Sequence, residues 1–182
     1  MIDTIGFIEL NSIAKGIEVA DQMLKIANVK LMFSTATCPG KYITLVYGDV
    51  GSVENAIRAA KLVGKEYVID DLTIPNVDEQ IFPAITGSGN IEKIGAIGVI
   101  ESLAMASLIV AVDTCVKASG VQIVELRLGS GIGGKSYCVI TGDVSEVNAA
   151  MEAGIAVIKE SGNLVYYTVI PSPHENFKRT LL

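Results

Sequence analysis

The sequence predicts an α+β protein built from two tandem copies of one β-α-β-β-α-β unit. Three observations carry that prediction. Ile5-Gly6-Phe7-Ile8-Glu9 recurs as Ile97-Gly98-Val99-Ile100-Glu101, and in the same register Ala14, Asp21, Lys25 and Val29 meet Ala106, Asp113, Lys117 and Val121. Beyond a central loop that is two residues longer in the second copy, Gly40-Lys41 meets Gly134-Lys135, Gly48-Asp49-Val50 meets Gly142-Asp143-Val144, and Ile74-Pro75 meets Ile170-Pro171. Within each copy, apolar residues switch between strand and helix spacing in the same order. A repeat of this length is a duplicated small domain rather than a solenoid unit. The polar, Gly-containing stretch Thr86–Lys93 reads as the join, giving expected domains 1–88 and 94–182.

The elements follow in turn. Thr4–Leu10 alternates as a strand. Ser12 can cap a helix running to about Ala27, with Ile13, Ile17, Ala20, Met23, Leu24 and Ala27 on one face. Val29–Phe33 and Tyr42–Tyr47 read as strands on either side of a loop, Ser34–Lys41. Asp49 caps a second helix ending near Gly64, and Tyr67–Ile74 is the last strand. The second copy repeats this with strands at about Ala96–Glu101, Gln122–Leu128, Ser136–Thr141 and Val165–Ile170, and helices at about Ala104–Ser119 and Ser145–Glu160. That order is the ferredoxin-like split βαβ arrangement, which does not by itself name a function.

Composition narrows the classes. Hydrophobic residues make up 50% of the chain and charged ones 19%, with mean hydropathy +0.48. The longest apolar run, Leu103–Val112, is bracketed by Glu101 and Asp113 and is too short to span a bilayer. Asp3 and Glu9 interrupt any N-terminal signal pattern. The surplus apolar surface is therefore expected between subunits. A net charge of −6 without a basic cluster argues against nucleic acid. Cys38, Cys115 and Cys138 show neither paired nor CxxC spacing, which suits a reduced, cytosolic chain.

The chemistry-bearing stretch is Ser34-Thr-Ala-Thr37-Cys38-Pro39-Gly40-Lys41. A hairpin there would ordinarily use Asn-Gly or Asp-Gly. Here a thiol precedes a rigid Pro39 and a Gly40 without a Cβ, and Lys41 stands close enough to favour the thiolate. One cysteine cannot hold a metal alone. Cys115 falls on a helix face with Leu108 and Val112, and Cys138 lies in a strand, so both read as core. The counterpart loop, Gly129-Ser130-Gly131-Ile132-Gly133-Gly134, matches a dinucleotide fingerprint but leads into a strand instead of opening a helix, so nucleotide binding is rejected. His174 follows Pro173 at a helix start and reads as a cap. Glu9 and Glu101 end strands with no base or nucleophile at catalytic spacing, and no enzyme is expected.

Taken together, the repeated Ile-Gly-x-Ile-Glu, Ala20-Asp21…Lys25-x-Ala27-Asn28-Val29, Gly-Lys, Gly-Asp-Val and Ile170-Pro171-Ser172-Pro173-His174 resemble the shell proteins of bacterial microcompartments, over nearly the whole chain. The unpermuted tandem order resembles the double-domain, trimer-forming class, and Thr37–Lys41 its propanediol-utilisation type. The resemblance implies a pseudo-hexagonal homotrimer tiling with other shell proteins in a cytoplasmic microcompartment shell. It implies a central pore lined by Thr37, Pro39, Gly40 and Lys41, with residues 129–134 as a second pore-type loop. It further implies that Cys38 of three subunits binds one iron–sulfur cluster, of the [4Fe-4S] kind, for electron transfer or redox sensing, with an encapsulated redox enzyme as a possible partner. A cubane has a three-fold axis through one iron, so three symmetry-related thiolates suit it. Lys25 and Lys117 are implied at tile edges. The family often pairs that lysine with an arginine, where this chain has Asn76 and Ser172. Two alternatives stand beside this reading: a cluster-free tile with a metabolite pore, and a regulatory trimer that binds a small molecule.

Overall fold

The computed structural model describes residues 4–88, 91, 93–129 and 131–181. The chain divides into two compact units, one holding the chain up to Val77 with Gly129–Gly134, the other Asp78–Leu128 with Lys135–Leu182.

In the first unit the alternating N-terminal segment forms β1 (Thr4–Leu10), the centre of an antiparallel sheet. The chain continues through α1 (Ile13–Ile26), β2 (Lys30–Thr37), β3 (Lys41–Gly48), α2 (Val50–Gly64), a 3-10 turn at Lys65–Tyr67, and β4 (Val68–Pro75). The sheet order is β2-β3-β1-β4. Ser12 and Asp49 cap the two helices, their side chains accepting from the Lys15 and Ser52 amides. Ile8 and Leu10 of β1 meet Val19, Met23, Val53 and Ile57 in the core between helices and sheet. Each such fully buried aliphatic side chain contributes about 1.5–3 kcal/mol by leaving water.

One expectation changes here. Gly16, Val19, Ala20 and Met23 form the buried stripe of α1, while Ile13, Ile17 and Leu24 are exposed on this chain. The helical period allows two adjoining apolar stripes, and the close approach at Gly16 selects one. A Cβ there would stand 2.4 Å from the Cβ of Tyr42, so Gly16 lets α1 lie against β3.

The second unit opens with α3 (Ile81–Thr86) and then repeats the pattern as β5 (Ala96–Ser102), α4 (Met105–Ala118), β6 (Gln122–Leu128), β7 (Ser136–Gly142), α5 (Val144–Glu160) and β8 (Leu164–Ile170), closing with α6 (Glu175–Lys178). Its sheet order is β6-β7-β5-β8. The repeat extends to the register. Ile5 pairs with Tyr47 and Ile74 in the first sheet, and their counterparts Ile97, Thr141 and Ile170 pair in the second. Even the irregularity in the edge strand recurs, between Leu31 and Phe33 and between Ile123 and Glu125. Both units therefore run β-α-β-β-α-β in unpermuted order. Among the described residues, no helix is long and apolar enough to cross a membrane.

Candidate functional site

The cysteine loop is shorter than its composition suggests. The strand ladder runs up to the pair Thr37–Lys41, leaving a turn of Cys38, Pro39 and Gly40. Two features extend the strands: the β-branched Thr35 and Thr37, and hydroxyl contacts from Ser34 Oγ to Thr44 Oγ1 at 2.9 Å and Tyr42 Oη at 3.1 Å. The Gly40 amide donates to Thr37 O at 3.0 Å, closing the turn, and the Cys38–Pro39 peptide is cis. Gly40 has φ +93°, a conformation costly for any residue with a Cβ. Cys38, Pro39 and Gly40 are all exposed, which puts the thiol at the tip of the β2–β3 hairpin.

Lys41 pairs with a carboxylate of the neighbouring strand. Its Nζ lies 2.5 Å from Oε1 of Glu9, which is fully buried on β1. Register explains the meeting. Glu9 sits opposite Ile43, two residues along β3 from Lys41, so both side chains share one face of the sheet. Glu9 Oε2 and Thr37 Oγ1 are buried without a hydrogen-bond partner among the described residues, which leaves Lys41 as the charge that compensates Glu9. The second unit repeats the pair as Glu101 and Lys135 at 2.6 Å, with both side chains partly in water. Spacing along the chain does not bring these partners together, because each lies on a strand far from the other in sequence. The signal was available: Glu and Lys recur together at matching positions of the two copies.

The glycine-rich loop leads into β7, a strand. Gly129, Gly131, Gly133 and Gly134 all take positive φ, Ile132 is half-buried, and Ser130 lies outside the described residues. Gly134 is buried against the cysteine turn, where a Cβ would stand 2.6 Å from Pro39 Cδ and 2.9 Å from the Cys38 carbonyl oxygen. The structure thus brings the end of this loop to the back of the Cys38 turn, within the first unit.

The other expected residues lie elsewhere. Lys25 pairs with Asp21 at 2.5 Å on the exposed surface of α1. Lys117 pairs at 2.6 Å with Asp113, which is buried and also accepts the Asp78 amide at 2.8 Å. His174 caps α6 through Nδ1, which accepts from the Asn176 amide.

Two of the three thiols are poor ligands. Burial pushes Cys115 up to about 12, and burial pushes Cys138 up strongly, aided by the neighbouring Cys115. Cys38 is the exposed one. Among the described residues no group of three or more His, Cys, Asp or Glu converges as a metal site within one chain. An exposed thiol at a hairpin tip fits the thiolate ligation that iron–sulfur clusters use, as one donor of a shared set.

Comparison with known proteins places this architecture. The BMC domain family model matches residues 4–77 and again 96–173. The chain belongs to the bacterial microcompartment shell protein family. It is 43% identical over 182 residues to the bacterial microcompartment shell protein PduT of Citrobacter freundii, covering 100% of this chain and 99% of that one. The crystal structure of a microcompartments protein from Desulfitobacterium hafniense DCB superposes with a TM-score of 0.90 at 47% identity, covering 98% and 99% of the two chains. The fused permuted hexameric shell protein MSM0275 from the RMM microcompartment, 23% identical over 86% of this chain and 84% of its own, shares the fold with a TM-score of 0.64. This is a family of structural shell proteins rather than enzymes, and its place is the microcompartment shell.

Proposed function

We propose that this shell protein forms a homotrimer in which Cys38 from three chains holds one [4Fe-4S] cluster at the central axis, and that the cluster carries electrons across the shell. The observation behind this reading is the Cys38 turn itself: an exposed thiol at the tip of a short strand pair, where no group of three or more metal-ligating side chains converges among the described residues. A three-fold assembly supplies the missing thiolates by symmetry. When bound, the cluster would supply one-electron chemistry, with a fourth iron left for a non-protein ligand. The chain's own part is to hold the thiol outward. Thr37 and Lys41 close the strand pair, Glu9 anchors Lys41, and Gly134 backs the turn.

In this reading Thr37, Pro39, Gly40 and Lys41 line the axial opening with Gly129–Gly134 beside them, while Lys25 and Lys117 face neighbouring tiles. Other shell proteins surround the trimer, and an encapsulated redox enzyme exchanges the electron. Likeness to PduT supports a propanediol-utilising compartment.

Anaerobic reconstitution with iron and sulfide, read by visible absorption and EPR, tests the cluster on the native chain and on Cys38→Ser. The expected result is about four irons per three chains, with a broad visible band that the substitution abolishes. A colourless native protein would overturn the cluster and leave a tile with a thiol-lined opening. Equal colour in both would assign the ligand to another cysteine.

A further inference from the structure

Beneath the Cys38 turn three polar side chains share one face of the first sheet. In the strand order β2-β3-β1, Thr37 of β2 stands opposite Lys41 of β3. Glu9 of β1 stands opposite Ile43, two residues along β3 from Lys41. Paired residues share a face, and so do residues two apart on one strand. Lys41 therefore lies between Thr37 on one side and Glu9 on the other. All three are withdrawn from water: Glu9 is 0% exposed, Thr37 7% and the Lys41 side chain 20%.

The protein's own hydrogen bonds use only part of this set. Lys41 Nζ donates to Glu9 Oε1 at 2.5 Å. Glu9 Oε2 and Thr37 Oγ1 are buried and meet no partner among the described residues. An ammonium has three donors, so Lys41 has donors beyond the one given to Glu9. A carboxylate oxygen accepts, and a hydroxyl does both. Folded interiors pair nearly all such groups with protein or with ordered water, because an unpaired one keeps its full desolvation penalty.

The duplication supplies a comparison within the same chain. Glu101 and Lys135 repeat the ion pair at 2.6 Å, with side chains 34% and 47% exposed, so bulk water can reach both. One residue beyond the Leu128–Ser136 rung, the position facing Lys135 is Gly129, which brings no hydroxyl. The hydroxyl is present where the pair is sealed from solvent and missing where solvent reaches it.

We propose that one internal water molecule sits beneath the Cys38 turn and bridges Glu9 Oε2, Thr37 Oγ1 and Lys41 Nζ. It donates to the carboxylate, accepts from the ammonium and exchanges its remaining hydrogen bond with the hydroxyl. Three such partners are what a buried water ordinarily has. The ammonium disfavours a metal cation in this place and the carboxylate disfavours an anion, which leaves a neutral molecule that donates and accepts. The bridge ties the last rung below Cys38 to the central strand β1, and it is independent of any cluster.

A high-resolution crystal structure of the native chain should show a single water within about 2.7–3.2 Å of all three atoms. Protein groups in its place, or no density there, would overturn the proposal. Thr37→Val, made in a Cys38→Ser background so that no cluster enters the comparison, tests it in solution. Valine keeps the shape and the β-branch, so the hydroxyl alone is lost. With the water in place, its loss of a partner should lower the thermal midpoint by about 2–4 °C. A hydroxyl that is truly unpaired predicts the opposite sign, because valine removes a buried polar group, so an unchanged or raised midpoint would overturn the bridge. Thr37→Ser keeps the hydroxyl and should keep the water in its crystal structure.

Discussion

Glu9 and Lys41 form the same pair as Glu101 and Lys135, yet burial gives the two pairs different weight. Glu9 is wholly removed from water and Lys41 largely so, whereas both members of the second pair keep solvent. Removing one partner of a buried pair strands the other charge in a low-dielectric setting, while an exposed pair contributes little. Lys41→Met is therefore expected to lower stability by about 3–5 kcal/mol in urea denaturation. Glu9→Leu combined with Lys41→Met should recover much of that loss, because no charge is left stranded. Lys135→Met should stay within about 1 kcal/mol of the native chain. Equal losses at Lys41 and Lys135 would mean that burial does not distinguish the pairs. The Cys38 turn was legible at this scale because its residues are contiguous. The ion pair beneath it was not, because register between β1 and β3 decides which side chains meet.

At the scale of elements, α4 and α5 lie unusually close. A Cβ at Gly154 would stand 2.3 Å from Cys115 Sγ and 2.8 Å from the Ala111 carbonyl oxygen. Backbone cannot yield as a flexible side-chain end can, so Gly154→Ala should cost about 1–3 kcal/mol by overpacking, read as a lowered thermal midpoint. Adding Cys115→Ala should return only part of it, since the carbonyl remains. An unchanged midpoint for Gly154→Ala would show that the helices separate freely. The order and type of every repeated element could be read from periodicity and caps. The buried stripe of α1 could not, because Ile13 and Ile17 are as apolar as Val19 and Met23, and the contact of Gly16 with Tyr42 is a tertiary fact.

At the scale of the molecule, buried thiols tie stability to alkaline pH. Burial raises Cys115 from 9.0 to about 12, and Cys138 is raised in the same direction. An unfolded thiol loses its proton first as pH climbs, so between about 9 and 12 the unfolded state binds fewer protons than the folded one. The stability these thiols contribute is whole below that window and falls as pH rises through it. Urea midpoints taken from pH 8 to 11 should decline more steeply for the native chain than for Cys115→Ala. Parallel slopes would remove the thiol from the account.

By itself the sequence determined the duplication, the order of elements in each copy, the family, and the position of the one thiol placed outside the core. All of these follow from local spacing, or from residues repeated at matching positions. Tertiary structure alone decided the length of the Cys38 turn, the partner of Lys41, the approach of Gly134 to that turn, and the contrast between a buried Ile81 and an exposed Phe177 at matching positions of the two copies. Each of those depends on strand register, or on which of two equivalent surfaces is covered. Two copies with matching patterns cannot record that difference, because burial is set by what packs against a residue and not by the residue alone.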